Sequence, residues 1–577
     1  DGVEFRYQWC AFASAERVVC SLRQPGEIVP GSGSPFLRYR ERRVVREHLV
    51  AVDVDGSDVL QLVPRAVTRV GGDLEWNAVD QDEVIAWLPG EPDAVLVQLA
   101  REDRVWPSVY RLDIRTNRLR RVHGHRSGVL RWLATPDGRI RAGLGLRDDA
   151  PFAVVVDEDG ATEPLDLAGL GLEEIPTRFG LDADGDRIWF LAHLGAEHVG
   201  LHYFDLASRR LLEDDRIALH ADITGVVTDQ SAKTPLGVRV EDPVPRTIWL
   251  DAALRSRLDL AAAFDEPGLR LSLVHADAAR ERFLLRLAST RRAPGLWLFE
   301  PGASRLARIA PDLPAVDTVL PTEHLHYTAR DGLEIPAWLT LPGPRDDGPW
   351  PTVLLPHGGP WGHDSGGFDY WAQFLARRGV AVLQPNYRGS TGQGRTLLEA
   401  GDAEWGRGMQ DDLLDGLDHL VAEGIADPDR VCVVGGSYGG FAALLAAFRD
   451  AGRIRCAVSY AGVSDLDALE DYWRSFRFGG VSAPRLPPRA ARQELSPLAN
   501  ADRIAIPLLV LHGAEDRVVK VEHSRRLVEA LGAAGVAVRY VEQPHGDHHL
   551  MREADRVEFL RELDAFLGRH LLADGAD

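Results

Sequence analysis

The stretch Val431-Cys-Val-Val434-Gly435-Gly436-Ser437-Tyr438-Gly439-Gly440, with the apolar run 441–448 behind it, decides the fold of half the chain. It reads as a buried strand, a turn too tight for side chains, and a helix. This is G-x-S-x-G in the setting that gives the pattern chemical meaning. A serine on such a turn takes a strained backbone and lifts its hydroxyl above a sheet edge, at a helix N-terminus. The positions two residues to either side must be small, hence Gly435 and Gly439. Ser437 is the candidate nucleophile.

Outward from this turn, strand runs alternate with helical stretches. Runs at 352–355, 380–384, 457–460, 507–511 and 538–541 are apolar, and 411–423 and 522–531 are amphipathic. That alternation predicts a mostly parallel sheet with helices on both faces. A hairpin at 327–341, with Asp331-Gly332 near its start, opens the region.

A serine hydroxyl needs a base, and the base needs an orienting acid. Behind a turn of this kind they follow in the order Ser, Asp, His, each on a loop after a strand. The run 507–511 ends in His512-Gly-Ala-Glu-Asp516, which makes Asp516 the candidate acid. Asp465 is its rival, and would otherwise serve as a helix N-cap. The run 538–541 leads to His545-Gly-Asp547-His548-His549, where three histidines compete and His548 is preferred. Acyl transfer also needs donors for an oxyanion. The amide of Tyr438 is one. The loop His357-Gly358-Gly359-Pro360 after the run 352–355 offers the other, at Gly359. Tyr472 and Trp473 follow the run 457–460 and are candidates for a substrate pocket, although paired aromatics are more often core.

Residues before about 320 have another texture. Strand–turn–strand units fall at 7–23, 84–100, 129–145, 180–194, 223–240 and 269–289, each followed by a second hairpin. Four strands per repeat of about 45 residues is the period of a propeller blade. A sandwich need not keep so regular a period. The first interval is longer and holds a polar insertion at 24–47. Six repeats are visible, and a complete ring of seven would place another before Asp1. The expected division is an all-β propeller over 1–320 and a catalytic domain over 321–577.

Composition narrows the function classes. Lys and Arg total 66 against 87 Asp and Glu, a net charge of −21, which argues against a nucleic-acid partner. No apolar run approaches the ~18 residues a spanning helix needs, so no membrane partner is expected. Four cysteines cannot form a disulfide framework. Cys432 and Cys456 lie in strand runs and are expected as buried thiols. Cys10 and Cys20 flank a turn, but a bond between them needs an oxidising compartment and is the minority expectation. No CxxC, HExxH or His/Cys cluster is present, so no metal is expected. The chain starts at Asp1, which gives no compartment; a cytoplasmic location is preferred over a periplasmic or secreted one, and self-association is left open.

With these residues in place, the C-terminal half resembles the prolyl oligopeptidase family, on its acylaminoacyl-peptidase and dipeptidyl-aminopeptidase-like side. The segments that carry the resemblance are His357-Gly-Gly-Pro360, Asn386-Tyr-Arg-Gly-Ser-Thr-Gly392, Trp405-Gly, Asp411-Asp412, Asp427-Pro-Asp-Arg430, Gly435-Gly-Ser-Tyr-Gly-Gly440, Ala461-Gly-Val-Ser-Asp465, Leu511-His-Gly-x-x-Asp516 and Asp547-His548. The resemblance implies a propeller joined to an α/β-hydrolase. It implies Ser437, Asp516 and His548 as nucleophile, acid and base, oxyanion amides from Gly359 and Tyr438, and no cofactor. It also implies a propeller over the catalytic face, and hence oligopeptide or acyl-peptide substrates rather than folded proteins. Asp547 and His549 stand where the family has glycines around its histidine. A paired-glutamate helix that captures free N-termini is not seen. A carboxylesterase for small esters and an inactive binding protein are the alternatives.

Overall fold

The computed structural model describes residues 6–29, 42–63, 82–103, 105–147, 150–172, 176, 178–229, 233–262, 270–277, 279–289, 292–312, 316, 318–475 and 485–573. Close internal contacts group the chain into two units. One comprises Asp1–Gly195, Val199–Ala218 and Gly225–Leu236; the other comprises Ala196–His198, Leu219–Thr224 and Gly237–Asp577.

The catalytic half is built on one sheet of eight strands. They are β1 (Thr322–Thr328), β2 (Glu334–Thr340), β3 (Trp350–Leu354), β4 (Ala381–Pro385), β5 (Ala426–Gly436), β6 (Cys456–Tyr460), β7 (Leu508–Gly513) and β8 (Val538–Gln543). The order across the sheet is β1-β2-β4-β3-β5-β6-β7-β8. β1, β2 and β4 pair antiparallel; from β4 onward every pairing is parallel.

The strands are apolar throughout because both faces are covered. Val431, Val433, Leu508 and Val510 enter one core, together with residues of α2 (Gly408–Ala422), α3 (Tyr438–Arg449) and α5 (Glu522–Ala533). Their neighbours Cys432, Val434, Leu509 and Leu511 enter the opposite core, with α1 (Tyr370–Ala376) and α6 (Glu553–Leu567). Helix α4 (Leu466–Arg474) follows β6.

Among the described residues, the blade half forms six antiparallel sheets whose strands are adjacent in chain order. The second, for example, comprises Val84–Trp87, Ala94–Leu99, Ser108–Asp113 and Leu119–His123. The fifth has three strands, and the helix Ala252–Ala262 follows its last one. The alternation of the strands explains the stacking. Val95 and Val97 pack towards the first sheet, while Leu96 between them packs towards the third. The second sheet is thus apolar on both sides and packs between its neighbours, as a propeller repeat does.

The insertion at 24–47 differs from expectation. Its described parts extend a hairpin, with Gln24 opposite Arg46 and Val29 opposite Arg42; residues 30–41 lie outside the described set. The cysteines also need correction. Cys10 and Cys20 are bonded, as are Cys432 and Cys456. Each pair is opposed in register on adjacent strands, the first across a hairpin and the second across the parallel pair β5–β6. A reading of separate strand runs does not reveal that β5 and β6 are neighbours.

Candidate active site

Three loops at the C-terminal ends of β5, β7 and β8 meet with the loop after β3. Ser437 sits between β5 and α3 at φ 57° and ψ −116°, outside the regions a serine normally occupies. Its amide donates to the Tyr460 carbonyl at 2.9 Å. The glycines are there because backbones touch. A Cβ on Gly435 would stand 2.4 Å from Gly439, and one on Gly439 would stand 2.1 Å from the Pro356 carbonyl oxygen. The loop of residues 357–360 lies against Ser437, since a Cβ on Gly358 would come 3.4 Å from Ser437 Cβ. That loop is anchored by His357, whose ring stacks on Tyr387 at 4.4 Å and whose Nε2 bonds Ser390 Oγ at 2.9 Å. Burial pushes the His357 imidazole down to about 4, so it stays neutral. Tyr387 adds a bond from its hydroxyl to the His357 carbonyl at 2.8 Å.

His548 Nδ1 lies 2.6 Å from Asp516 Oδ2. Burial would raise the Asp516 carboxyl, but hydrogen bonds from His512 and His548 outweigh it and hold the group well below the carboxylate range. The ionised carboxylate only accepts, so His548 donates this bond from Nδ1. Asp516 Oδ1 accepts from the amides of Val518 and Val519 at 2.8 and 2.9 Å. His512 is a further partner. Its Nε2 donates to the Val519 carbonyl at 2.9 Å and lies 3.3 Å from Asp516 Oδ2, while Nδ1 accepts from Ser524 Oγ at 2.7 Å. Among the described residues, Ser437 Oγ has no hydrogen-bond partner; such bonds often tighten only with substrate.

The other candidates separate. His545 is exposed and faces Glu515 at 3.5 Å. His549 meets His548 only edge to face, with ring centres 5.1 Å apart. Asp465 caps α4, accepting from the amides of Asp467 and Ala468. Asp547, in place of a glycine, accepts from the amides of His549 and Met551 at 3.1 Å and so ties the loop that carries His548. Tyr460 holds the same loop from outside, its hydroxyl donating to the Asp547 carbonyl at 2.5 Å.

Tyr472 and Trp473 border the site from two sides. The Tyr472 hydroxyl donates to the Arg517 carbonyl beside Asp516 at 2.6 Å. Trp473 packs against Trp361, just past Pro360, and against Trp405. The Asn386–Gly392 motif serves the scaffold: Arg388 is joined to buried Asp412 of α2 by bonds of 2.8 and 2.9 Å.

Sequence reading missed the parts played by His512, Tyr460, Tyr387 and Trp361. His512 and Tyr460 end apolar strands, where a polar ring stands out, but only the folded contacts reveal what each one holds.

Residues 367–574 match the prolyl oligopeptidase family. Dipeptidyl aminopeptidase BIII of Pseudoxanthomonas mexicana is 30% identical over 551 residues, 91% of this chain and 76% of that protein. The chain belongs to the prolyl oligopeptidase family. It is a serine peptidase, and its substrates are peptides. A human acylamino-acid-releasing enzyme of the same resemblance is 29% identical over 238 residues, 40% of this chain and 32% of that enzyme. In fold, the chain is similar to a puromycin hydrolase structure, with a TM-score of 0.70 at 20% identity over 98% of this chain and 94% of that one. It is also similar to Pyrococcus horikoshii acylaminoacyl peptidase, with a TM-score of 0.67 at 16% identity over 100% and 97%. The two halves are therefore a six-bladed propeller and an α/β-hydrolase. No helix among the described residues is long and apolar enough to cross a membrane.

Proposed function

We propose that Ser437 attacks the scissile carbonyl of an oligopeptide, with His548 as base and Asp516 as its orienting acid. The observation that carries this reading is the 2.6 Å bond that fixes the His548 tautomer beside the strained Ser437 turn. The Ser437 oxygen bonds to the carbonyl carbon and its proton passes to His548 Nε2. The amides of Tyr438 and Gly359 receive the oxyanion. The C–N bond then breaks, His548 protonates the departing amine, and water hydrolyses the acyl-enzyme by the same relay. Residues 321–577 carry this chemistry and residues 1–320 the propeller. Tyr472 and Trp473, with Trp361, wall the pocket for the substrate side chain.

Between cutting from a free N-terminus and releasing an acylated residue, the reach of the relatives favours the first. The relative named a dipeptidyl aminopeptidase aligns over 91% of this chain, the human acylamino-acid-releasing enzyme over 40%. The experiment is mass-spectrometric mapping of cleavage in a peptide pool supplied with free and with N-acetylated ends. Dipeptides released from free ends only is the expected result. Release of acetylated residues would reverse the choice, and turnover of small esters with no peptide cleaved would overturn the proposal. A second arm places one cleavable sequence in a short peptide and in a long unfolded polypeptide. Faster cleavage of the short form is expected.

A further inference from the structure

The chain has only two lysines, Lys233 and Lys520, and uses arginine everywhere else a basic group is needed. Lys520 lies over the Tyr472 ring beside the candidate site. Lys233 is far from it in sequence and lines a cavity within the blade half. That cavity measures about 340 Å³ and is bounded by the first strands of the second, third and fourth blades, residues of the fifth, and Trp189. Its volume matches a pocket for one small group.

The charged residues of its lining are Glu83, Arg131, Arg178 and Lys233, three cations to one anion, in a chain of net charge −21. Arg131 is already engaged, bonding Glu83 at 2.8 Å and lying over the Phe179 ring. Lys233 is not. Among the described residues its ammonium forms no ion pair with a carboxylate. Burial pushes it below the ordinary lysine value, with Asp229 and Glu83 opposing and Arg131 adding to the shift. Lys233 is part-buried, and an ammonium taken partly out of water gains from an anion placed beside it.

The backbone also holds Lys233 where it is. Its φ is 55°, the left-handed backbone that the blade tips at Asn117, Arg209 and Arg280 also take. Its amide donates to the Asp229 carbonyl at 2.9 Å, and Trp189 Nε1 donates to its carbonyl at 3.0 Å. The indole that walls the cavity thus fixes the residue that charges it. The cavity and the excess of cations over anions in its lining together describe a site suited to an anion.

We propose that this cavity is a binding pocket for a carboxylate or comparable small oxyanion, with Lys233 as the anchoring cation and Arg131 and Arg178 adding positive field. The oxyanion comes either on a peptide, as a side-chain or terminal carboxylate, or free, as inorganic phosphate.

The test is calorimetric titration of the full chain carrying Ser437→Ala, so that peptide is not consumed. The probes are inorganic phosphate, N-acetyl-Gly-Glu-Gly-amide and its Gln counterpart. The Glu peptide or phosphate should bind, the Glu peptide about tenfold more tightly than the Gln peptide, as a charge-assisted bond implies. Lys233→Met should remove that preference and any phosphate binding, while Lys233→Arg keeps a part of it. Binding of the Glu peptide alone assigns the pocket to peptide carboxylates, and binding of phosphate alone assigns it to a free oxyanion. Absence of binding by both, or equal binding in Lys233→Met, overturns the proposal. Lys233→Gln repeats the comparison if the Met variant alters the circular dichroism spectrum.

Discussion

The turns of the hydrolase sheet and the turns of the blades are built on different constraints. At Ser437 and Asp516 the backbones of neighbouring loops touch. A Cβ on Gly435, Gly439 or Gly513 would land 2.1–2.4 Å from main-chain atoms. In the blades, Gly56 and Gly160 at hairpin tips would meet nothing within 4 Å. Other tips reach the same left-handed backbone with Asn117, Arg209 or Arg280. The turns that carry Ser437 and Asp516 therefore dictate residue identity, whereas the tips at Gly56 and Gly160 dictate only a conformation that several residues can adopt. One half is rigid where chemistry needs fixed atoms. The other needs only a repeated outline that stacks.

The sharpest way to break this contrast is to remove side chains from the rigid half. Ser437→Ala and His548→Ala should each lower kcat by about 10⁴–10⁶-fold, since the members of such a unit fail together. Thermal unfolding should hardly change, because neither side chain fills a core. His545→Ala, on the same loop but exposed, should leave kcat/KM near the parent value. Loss of activity in His545→Ala with retention in His548→Ala would move the base and dissolve the argument from the Asp516 bond.

The opposite effect is expected in the blades. Trp132 is fully buried between the second and third sheets, with its Nε1 bonded to the Pro107 carbonyl at 2.8 Å. Trp132→Ala should cost ~3–5 kcal/mol of stability, read by urea unfolding, as large cavities do. At a temperature where the variant is folded, its kcat on a short peptide should stay within about threefold of the parent, because no reacting atom moves. A kcat loss as large as that of the triad variants would show that blade packing and site geometry are not separable.

The same contrast explains what could be read before folding. The motif around Ser437 was legible because its residues have no substitutes at those contacts. Strand order pointed to Asp516 and to a loop with three competing histidines, of which His548 lies 2.6 Å from Asp516. The blades were legible only as a period, which gave six repeats but not the helix Ala252–Ala262 after the short fifth sheet. What escaped were pairings between distant strands. The bond between Cys432 and Cys456 depends on β5 lying beside β6, and the grip of His512 on Asp516 depends on a ring turned back under its own loop.

A pH effect sharpens the point, because rigidity includes keeping rings neutral. His523 of α5 is buried, accepts from the Ser464 amide at 3.2 Å, and is pushed down to about 4 by burial, with Asp465 opposing. The unfolded chain takes up that proton near 6.5, and the folded chain refuses it until about 4. Stability is therefore full above 6.5 and falls as pH drops towards 4, by on the order of 3 kcal/mol for this ring. Urea titrations from pH 7 to 4 should show a flatter decline in His523→Gln than in the parent. Identical slopes would mean that His523 protonates freely in the folded protein.

The smallest predicted effect isolates one bond. Tyr460 spans the two loops that must stay in register: its carbonyl accepts from the Ser437 amide at 2.9 Å and its hydroxyl donates to the Asp547 carbonyl at 2.5 Å. Its ring meets Trp371 and Phe559 edge to face. Tyr460→Phe keeps the ring and the carbonyl and deletes only the hydroxyl. A single neutral hydrogen bond contributes about 1 kcal/mol, so unfolding should shift little. Catalysis should respond more specifically, because the lost bond positions the loop carrying His548: a fall in kcat of about tenfold is expected with KM nearly unchanged. Tyr460→Leu, which also loses the ring contacts, should lower stability as well. If Tyr460→Phe raises KM and leaves kcat intact, the hydroxyl serves substrate binding instead of loop register. The fixed geometry of the turns around Ser437 and Asp516 would then rest on their backbone contacts and not on this hydroxyl.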